Sequence, residues 1–303
     1  MRRLILALTA VFIAFAASAA QRSDWNQPPK EKIAGLEHHT FRSASMRTDV
    51  GYNICLPPEY SREPKRRFPV IYYLHGYEGN ESSFLDYVKL WRESLARTGP
   101  TILVLVNGGE TSFFSDAPDG SVMGETVVVK ELVPHIDEQF RTRAEQRARS
   151  LHGYSMGGFG ALKLAFKHPE IFGSVVAYGA TISDARDFQK HLGKVYKQMF
   201  GTPDRYEANN PLAMAERNAD QIRGRVAILA VVGSKDEFVN ANRELHQRLE
   251  SRKVPHEYLE LSGVKHAKEP LYERAAARAF EFSAKAFNAA VKSTKGENAK
   301  AKQ

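Results

Sequence analysis

Three residues stand in chain order with the chemistry of a nucleophile, an orienting acid and a base: Ser155, Asp236 and His266. Ser155 lies in Arg149-Ser-Leu-His-Gly-Tyr-Ser-Met-Gly-Gly-Phe-Gly-Ala161, where Gly153, Ser155 and Gly157 spell G-x-S-x-G. A sharp strand-to-helix turn at such a serine pushes Oγ out of the sheet and aims the free N–H groups of the new helix at the same point. Gly153 and Gly157 would let the arms of the turn pass closely, and Gly158, Gly160 and Ala161 would keep the helix near the sheet. A five-residue pattern with three fixed positions also arises by chance, so the flanks carry the reading. Residues 149–153 read as a short strand and residues 161–168 have helical spacing, which is the context the motif requires.

A serine hydroxyl is a weak nucleophile until a histidine takes its proton and a carboxylate orients that histidine. Asp236 sits in Gly233-Ser-Lys-Asp-Glu-Phe238, directly after the apolar run 226–232, with Glu237 as the competing carboxylate and helix capping as the bland alternative. His266 ends Leu261-Ser-Gly-Val-Lys-His266, after the last predicted strand and before the last helix. Of the nine other histidines, His75 precedes the serine and breaks the chain order, and His152 points into the packing of the sheet. The rest read as core or surface residues. Negative charge on an attacked carbonyl oxygen needs two fixed donors, usually backbone N–H groups. Met156 after the serine and Tyr77 in the His75-Gly-Tyr77 turn are the candidates.

These residues need a frame that brings distant turns together. Residues 36–56 read as two antiparallel strands closed by Pro57 and Pro58. Residues 68–74 and 101–106 are near-continuous apolar runs of the kind a strand buried on both faces shows. Helical spacing follows over 82–97 and 125–140, although Val127-Val-Val129 blurs the start of the second. Further strands are expected at 173–178, 226–232 and 256–261, with helices at 240–253 and 269–291. This alternation predicts an α/β fold with a mainly parallel central sheet and helices on both faces. Residues 181–225 interrupt it with mixed polar and helical signals and read as an insertion over the carboxyl edge of the sheet.

At 303 residues and 43% hydrophobic content, the chain can bury one sizeable core. Arg2 and Arg3, an apolar run over 4–15 and the small residues Ala17-Ser-Ala-Ala20 predict a cleavable secretory signal over residues 1–20, too short to span a bilayer. Domain organisation follows: the signal, one catalytic domain over 21–290, and a Lys-rich tail at 291–303 read as disordered. The predicted location is secreted or periplasmic. Cys55 has no partner for an internal disulfide and reads as a buried small hydrophobe. The net charge of +8 includes two arginines of the leader and a surplus of three in the tail, where Lys292, Lys295, Lys300 and Lys302 face Glu297. The body thus carries about +3, which points to no nucleic-acid partner. No H-E-x-x-H, Cys-x-x-Cys or G-x-x-x-x-G-K-[ST] is present, so no metal or other cofactor is implied.

The same residues resemble the putative-esterase branch of the α/β-hydrolases, which includes feruloyl and acetyl-xylan esterases, S-formylglutathione hydrolases, enterochelin-type siderophore esterases and mycolyltransferases. The resemblance rests on Leu56-Pro-Pro-Glu-Tyr60, Pro69-Val-Ile-Tyr-Tyr-Leu-His-Gly76, Glu131-Leu-Val-Pro-His-Ile-Asp137, Gly153-Tyr-Ser-Met-Gly-Gly158, His168-Pro169 and the Gly233/Asp236 loop. It implies the α/β-hydrolase fold, with Ser155 as nucleophile, His266 as base, Asp236 as its orienter, and Tyr77 and Met156 as oxyanion donors. Several branches carry an aromatic residue shortly after the catalytic histidine, whereas Ala267-Lys-Glu-Pro270 stands here. The expected activity is hydrolysis of an acyl or feruloyl ester of a saccharide, or of a siderophore ester. An acyltransferase with the same triad and a non-catalytic binding protein on this scaffold are the alternatives.

Overall fold

The apolar runs become the middle of one eight-stranded sheet in the computed structural model, which describes residues 23–300. The leader over 1–20 lies outside the described residues. The strands are β1 (Leu36–Ser43), β2 (Thr48–Cys55), β3 (Val70–Leu74), β4 (Ile102–Val106), β5 (Arg149–Tyr154), β6 (Ser174–Tyr178), β7 (Ala227–Gly233) and β8 (Glu257–Leu261). They lie in the order β1-β2-β4-β3-β5-β6-β7-β8, and a short helix α1 (Glu59–Arg62) follows β2 in the chain. β1 and β2 form an antiparallel hairpin on one edge, β2 meets β4 antiparallel, and the rest of the sheet is parallel.

Alternation along the strands divides the core into two layers, because successive side chains point to opposite faces. Ile71, Tyr73, Leu103, Leu105, Val176, Tyr178, Leu229 and Val231 pack with helices α2 (Asp86–Thr98) and α11 (Lys268–Lys300). Tyr72, Leu74, Val104 and Leu151 face the other layer, which includes α3 (Val133–Gln139) and α4 (Met156–Lys167). Cys55 is fully buried among apolar neighbours, and burial pushes its thiol up to about 12. It is a packing residue, as its strand setting implied.

Two elements differ from the sequence reading. The helix expected over 125–140 is interrupted by a π-helical stretch at Val127–Leu132, leading into α3. Three consecutive β-branched valines lose χ1 freedom in a regular α-turn, and the wider turn falls on them. The closing helix α11 runs to Lys300 instead of ending at Val291, extending into the tail read as disordered. Gly296 is the only strong helix breaker in that stretch. Residues 181–225 fold as five short helices between β6 and β7: α5 (Ala185–His191), α6 (Gly193–Met199), α7 (Pro203–Asn209), α8 (Pro211–Arg217) and α9 (Ala219–Ile222). After β7 comes α10 (Val239–Ser251). No helix among the described residues is long and apolar enough to cross a membrane.

Sheet register does the positioning. Leu74 of β3 pairs with Gly153 of β5, so the turn carrying Tyr77 emerges beside Ser155. Tyr154 pairs with Tyr178 of β6, which brings out Thr181 next to the same serine. Gly233 of β7 pairs with Leu261 of β8, so the loops bearing Asp236 and His266 leave the sheet together. All five turns open at the carboxyl ends of parallel strands, where open α/β sheets hold their ligands.

Candidate active site

Helix α4 begins at the residue after Ser155, which itself has φ 57° and ψ −117°. A non-glycine residue in that region costs about 1–3 kcal/mol and persists only where its surroundings impose it. Here they do. The Ser155 N–H donates to the Tyr178 carbonyl at 2.9 Å, and the Ser155 carbonyl accepts from Phe159 at 3.0 Å and from Thr181 at 3.2 Å. A Cβ on Gly153 would lie 2.1 Å from the Gly157 carbonyl oxygen, and one on Gly157 would lie 2.1 Å from the Leu74 carbonyl oxygen. Both contacts are with backbone, so neither glycine can take a side chain without moving the turn or β3.

The three residues singled out from the sequence meet. His266 Nε2 is 2.9 Å from Ser155 Oγ, and His266 Nδ1 is 2.9 Å from Asp236 Oδ2. The Asp236 side chain is wholly buried, and its other oxygen accepts from the Phe238 N–H at 2.8 Å. A carboxylate oxygen facing Nδ1 accepts the ring proton there, which leaves Nε2 free to accept the serine proton. Glu237, the competing carboxylate, is exposed and lines a cleft instead. Tyr154 stacks on the His266 ring at 5.2 Å between centroids, and Phe238 meets it edge-on at 5.1 Å. The aromatic wall that Ala267-Lys-Glu-Pro270 does not supply comes from the residue before Ser155 and the loop after Asp236.

Tyr77 and Met156, the expected oxyanion donors, stand on turns that pack against each other. Gly157 brings the start of α4 against the exit of β3, and the turn after β3 is fixed at several points. Gly79 N–H donates to the Gly76 carbonyl at 3.1 Å, and Glu78 N–H donates to the Glu110 carbonyl at 2.8 Å. Among the described residues neither the Tyr77 nor the Met156 backbone N–H has a hydrogen-bond partner. The Tyr77 side chain is the one large exposed hydrophobic among them, at 39%.

His75, the positional rival, is a buried strut of that turn. Its Nδ1–H donates to the Gly76 carbonyl at 2.9 Å while Nε2 accepts from Gly108 N–H at 3.3 Å, a pattern only the neutral ring can make. Burial lowers its pKa to about 4. His152 is likewise buried and neutral between Tyr87 and Ser283, with its pKa lowered by burial to about 3. Opposing them is Glu81, whose carboxyl burial raises to about 7 while it accepts from Gln27 N–H at 2.6 Å and Asn107 Nδ2 at 2.7 Å.

These three groups set a pH dependence of stability. The histidines bind fewer protons folded than unfolded, so the stability associated with them is whole above pH 6.5 and is lost as pH falls toward their folded values. Glu81 works the other way, adding stability as pH falls from about 7 to 4.5. Between pH 6.5 and 4.5 two histidines oppose one carboxyl, a net loss of roughly 1 kcal/mol per pH unit. The melting temperature should therefore be clearly lower at pH 5 than at pH 7. A flat or rising melting temperature over that interval contradicts the assignment.

Sequence reasoning missed three features. Thr181 Oγ1 lies 3.0 Å from Ser155 Oγ, a contact that depends on the β5/β6 register. Gly160 does not face the sheet as expected; its absent Cβ makes room for the Phe114 ring, 2.4 Å from where that atom would be. Phe113 and Phe114 have φ 51° and 52°. Fully buried Lys163 of α4 donates to the Phe114 carbonyl, and to Ser115 Oγ at 2.9 Å. Lys163 also pairs with Glu125 at 2.9 Å. Burial alone would raise the Glu125 carboxyl, but Lys163, His168 and Lys167 hold it well below the usual carboxylate range. A buried lysine tied to a glutamate 38 positions earlier has no local sequence signal.

No cluster of metal-ligating residues occurs among the described residues. The family model described as "Putative esterase" matches residues 43–291. A protein named as an esterase from Mycobacterium tuberculosis is 30% identical over 257 residues, covering 75% of this chain and 55% of the relative. An endo-1,4-beta-xylanase/feruloyl esterase of Xylanibacter ruminicola is 32% identical over 148 residues, covering 46% of this chain and 20% of its own. The chain thus spans about half the length of the first relative and a fifth of the second. Among solved structures, a ferulic acid esterase superposes with a TM-score of 0.72 at 21% identity, covering 83% of this chain and 98% of its own. An S-formylglutathione hydrolase from Agrobacterium tumefaciens reaches 0.69 at 16% identity over 86% of this chain and 99% of its own. MPT51 of Mycobacterium tuberculosis reaches 0.67 at 17% identity over 84% and 99%. These superpositions bear out the α/β-hydrolase fold.

Proposed function

Because the chain belongs to the putative-esterase family, as the match over residues 43–291 shows, we propose that it is a serine carboxylesterase working through an acyl-enzyme on Ser155. The observation that carries the reading is the unbroken chain of contacts from Ser155 through His266 to buried Asp236, at 2.9 Å each. His266 takes the Ser155 proton as Oγ attacks the ester carbonyl, and the oxyanion is met by the Tyr77 and Met156 N–H groups. His266 then gives that proton to the departing alcohol. Water repeats the sequence on the acyl-enzyme, returning the proton to Ser155 Oγ. The turn that carries Tyr77 needs no rearrangement for this, since His75 and Glu78 already hold it. The leader over residues 1–20 places the reaction outside the cytoplasm in this reading.

A cleft of about 770 Å³ begins at Thr181 and runs between the helices inserted after β6 and α10. Its lining is acidic: Asp184, Asp187, Glu207, Glu237 and Glu244, with Arg248 the one strong cation. Arg248 pairs with Glu244 at 2.6 Å, which leaves four carboxylates without a lysine or arginine in the lining. Like charges across a contact surface disfavour wrong partners. An acidic cleft beside the nucleophile therefore favours a neutral saccharide ester over a siderophore ester, whose catecholate or carboxylate groups are anionic.

The test is a matched pair of substrates, the same acetyl or hydroxycinnamoyl group on a neutral xylo-oligosaccharide and on a uronate-bearing one. The neutral ester should have the higher kcat/KM, by about tenfold at low salt, with the gap narrowing as salt screens the cleft. Equal turnover, or preference for the uronate, would remove the argued preference for a neutral ester.

A further inference from the structure

We infer that Thr181 is a catalytic residue whose hydroxyl donates to Ser155 Oγ and stabilises the charge gathering on that oxygen each time it attacks or leaves. The inference rests on the reading of Ser155 as nucleophile.

Counting protons decides the direction of the bond. His266 keeps its ring proton on Nδ1, 2.9 Å from Asp236 Oδ2, so Nε2 accepts. The single hydroxyl proton of Ser155 is directed at that Nε2, 2.9 Å away. The contact between Ser155 Oγ and Thr181 Oγ1, at 3.0 Å, must then use the threonine proton.

The threonine is held where it must be to do this. Its own N–H donates to the Ser155 carbonyl at 3.2 Å, and the preceding Gly179 N–H donates to Val231 at 2.7 Å. Between them the Ala180 carbonyl accepts from Asn242 Nδ2 at 2.9 Å. Asn242 is 1% exposed and uses the same amide group to bond Phe238, two residues beyond Asp236. Thr181 is thus fixed to the nucleophile turn on one side and, through Asn242, to the acid loop on the other. A donor fixed in advance costs no reorganisation when charge appears.

Its task differs from that of Tyr77 and Met156, which face the carbonyl oxygen. During acylation the Ser155 proton passes to His266, and partial negative charge builds on Oγ before the new C–O bond consumes it. Charge-assisted hydrogen bonds are about twice as strong as neutral ones, so the Thr181 bond strengthens at that moment and weakens in the ester, whose oxygen accepts poorly. In deacylation Oγ departs with the same charge and the bond is restored. Thr181 keeps its own proton throughout, so the proton balance of the reaction is unchanged.

The test pairs Thr181→Val, which keeps shape and loses the donor, with Thr181→Ser, which keeps the donor. The readouts are the second-order rate of fluorophosphonate labelling and the kcat of ester hydrolysis. Both should fall about 10- to 100-fold in the valine variant and stay within about threefold of wild type in the serine variant. A residue that merely shaped the cleft would move the ester KM and leave fluorophosphonate labelling alone, and that result overturns the inference. Equal loss in both variants overturns it as well. If the valine variant melts early, Thr181→Ser against Thr181→Ala, at a temperature where both are folded, makes the same comparison. Ser155→Ala separates this from the underlying reading. Labelling that survives in Ser155→Ala removes the nucleophile assignment itself, whereas labelling lost there but retained at wild-type rate in Thr181→Val removes only the role of Thr181.

Discussion

Ester turnover in Ser155→Ala should fall by about 10⁵- to 10⁶-fold, toward the level that a charge-stabilising pocket sustains without a nucleophile. The size follows from the arrangement. His266 Nε2 has its 2.9 Å contact with Ser155 Oγ, and among the described residues it hydrogen-bonds no other serine. Thr181 bonds Oγ and, among the described residues, makes no hydrogen bond to His266, so it is not set up as a second base-activated nucleophile. The backbone N–H groups of Tyr77 and Met156 survive the substitution, as do the glycine contacts that shape the turn. Some residual catalysis should therefore remain. Alanine tolerates φ 57° no worse than serine, so the variant should fold. The check is steady-state hydrolysis of a p-nitrophenyl ester panel together with fluorophosphonate labelling. A variant that keeps wild-type turnover would show that the elbow is not the reaction centre.

The second large effect is expected at Asp236→Asn, with kcat reduced by about 10⁴-fold. Asp236 accepts two hydrogen bonds at once, from His266 Nδ1 at 2.9 Å and from the Phe238 N–H at 2.8 Å. An asparagine has one oxygen and one NH₂ in the same space, so one of these donors must face another donor. If the amide nitrogen faces the ring, Nδ1 becomes the acceptor and the proton moves to Nε2. The ring then has no lone pair toward Ser155. Because the Asp236 side chain is wholly buried, no water is available to relieve the conflict. Glu237→Gln, one residue on but exposed, should cost far less kcat. A loss of under tenfold in Asp236→Asn, or a larger one in Glu237→Gln, would transfer the orienting role away from Asp236.

Much of this geometry could be read without coordinates, for a physical reason. Strands buried on both faces announce themselves as apolar runs, and the chemistry of an open parallel sheet sits in the turns at their carboxyl ends. Gly153-Tyr-Ser-Met-Gly157, the loop after 226–232 and the loop after 256–261 were legible because each follows such a run closely. What was not legible depends on which strands become neighbours and in what register. Thr181 is one hydroxyl among many until Tyr154 is set opposite Tyr178. Tyr154 and Phe238 become the walls of His266 only when three separate turns converge. The space left by Gly160 belongs to Phe114, a residue from the loop before α3, and nothing in the local spacing connects the two. The π-helical turn at Val127–Leu132 is intermediate: its valines marked an irregularity but not its form.

The five helices inserted between β6 and β7 have a consequence for how such a protein can acquire new substrates. They contribute no strand to the sheet, and the loops bearing Ser155, Asp236, His266 and Tyr77 are all anchored elsewhere. The helices are packed into the core layer that holds α4, with Phe188, Phe200, Tyr206, Met214 and Ile222 buried there, but a link between two of them can lengthen at about 0.6 kcal/mol of closure entropy for each doubling. The links between the five helices are therefore where evolution or an engineer can reshape the cleft while the packed residues beneath stay in place. The near seam of the segment is not arbitrary, because Thr181 hangs on the Ser155 carbonyl and its neighbour Ala180 on buried Asn242. A replacement that took in Thr181 would remove the contact to Ser155 Oγ, whereas a change confined to a link such as residues 201–202 would leave it.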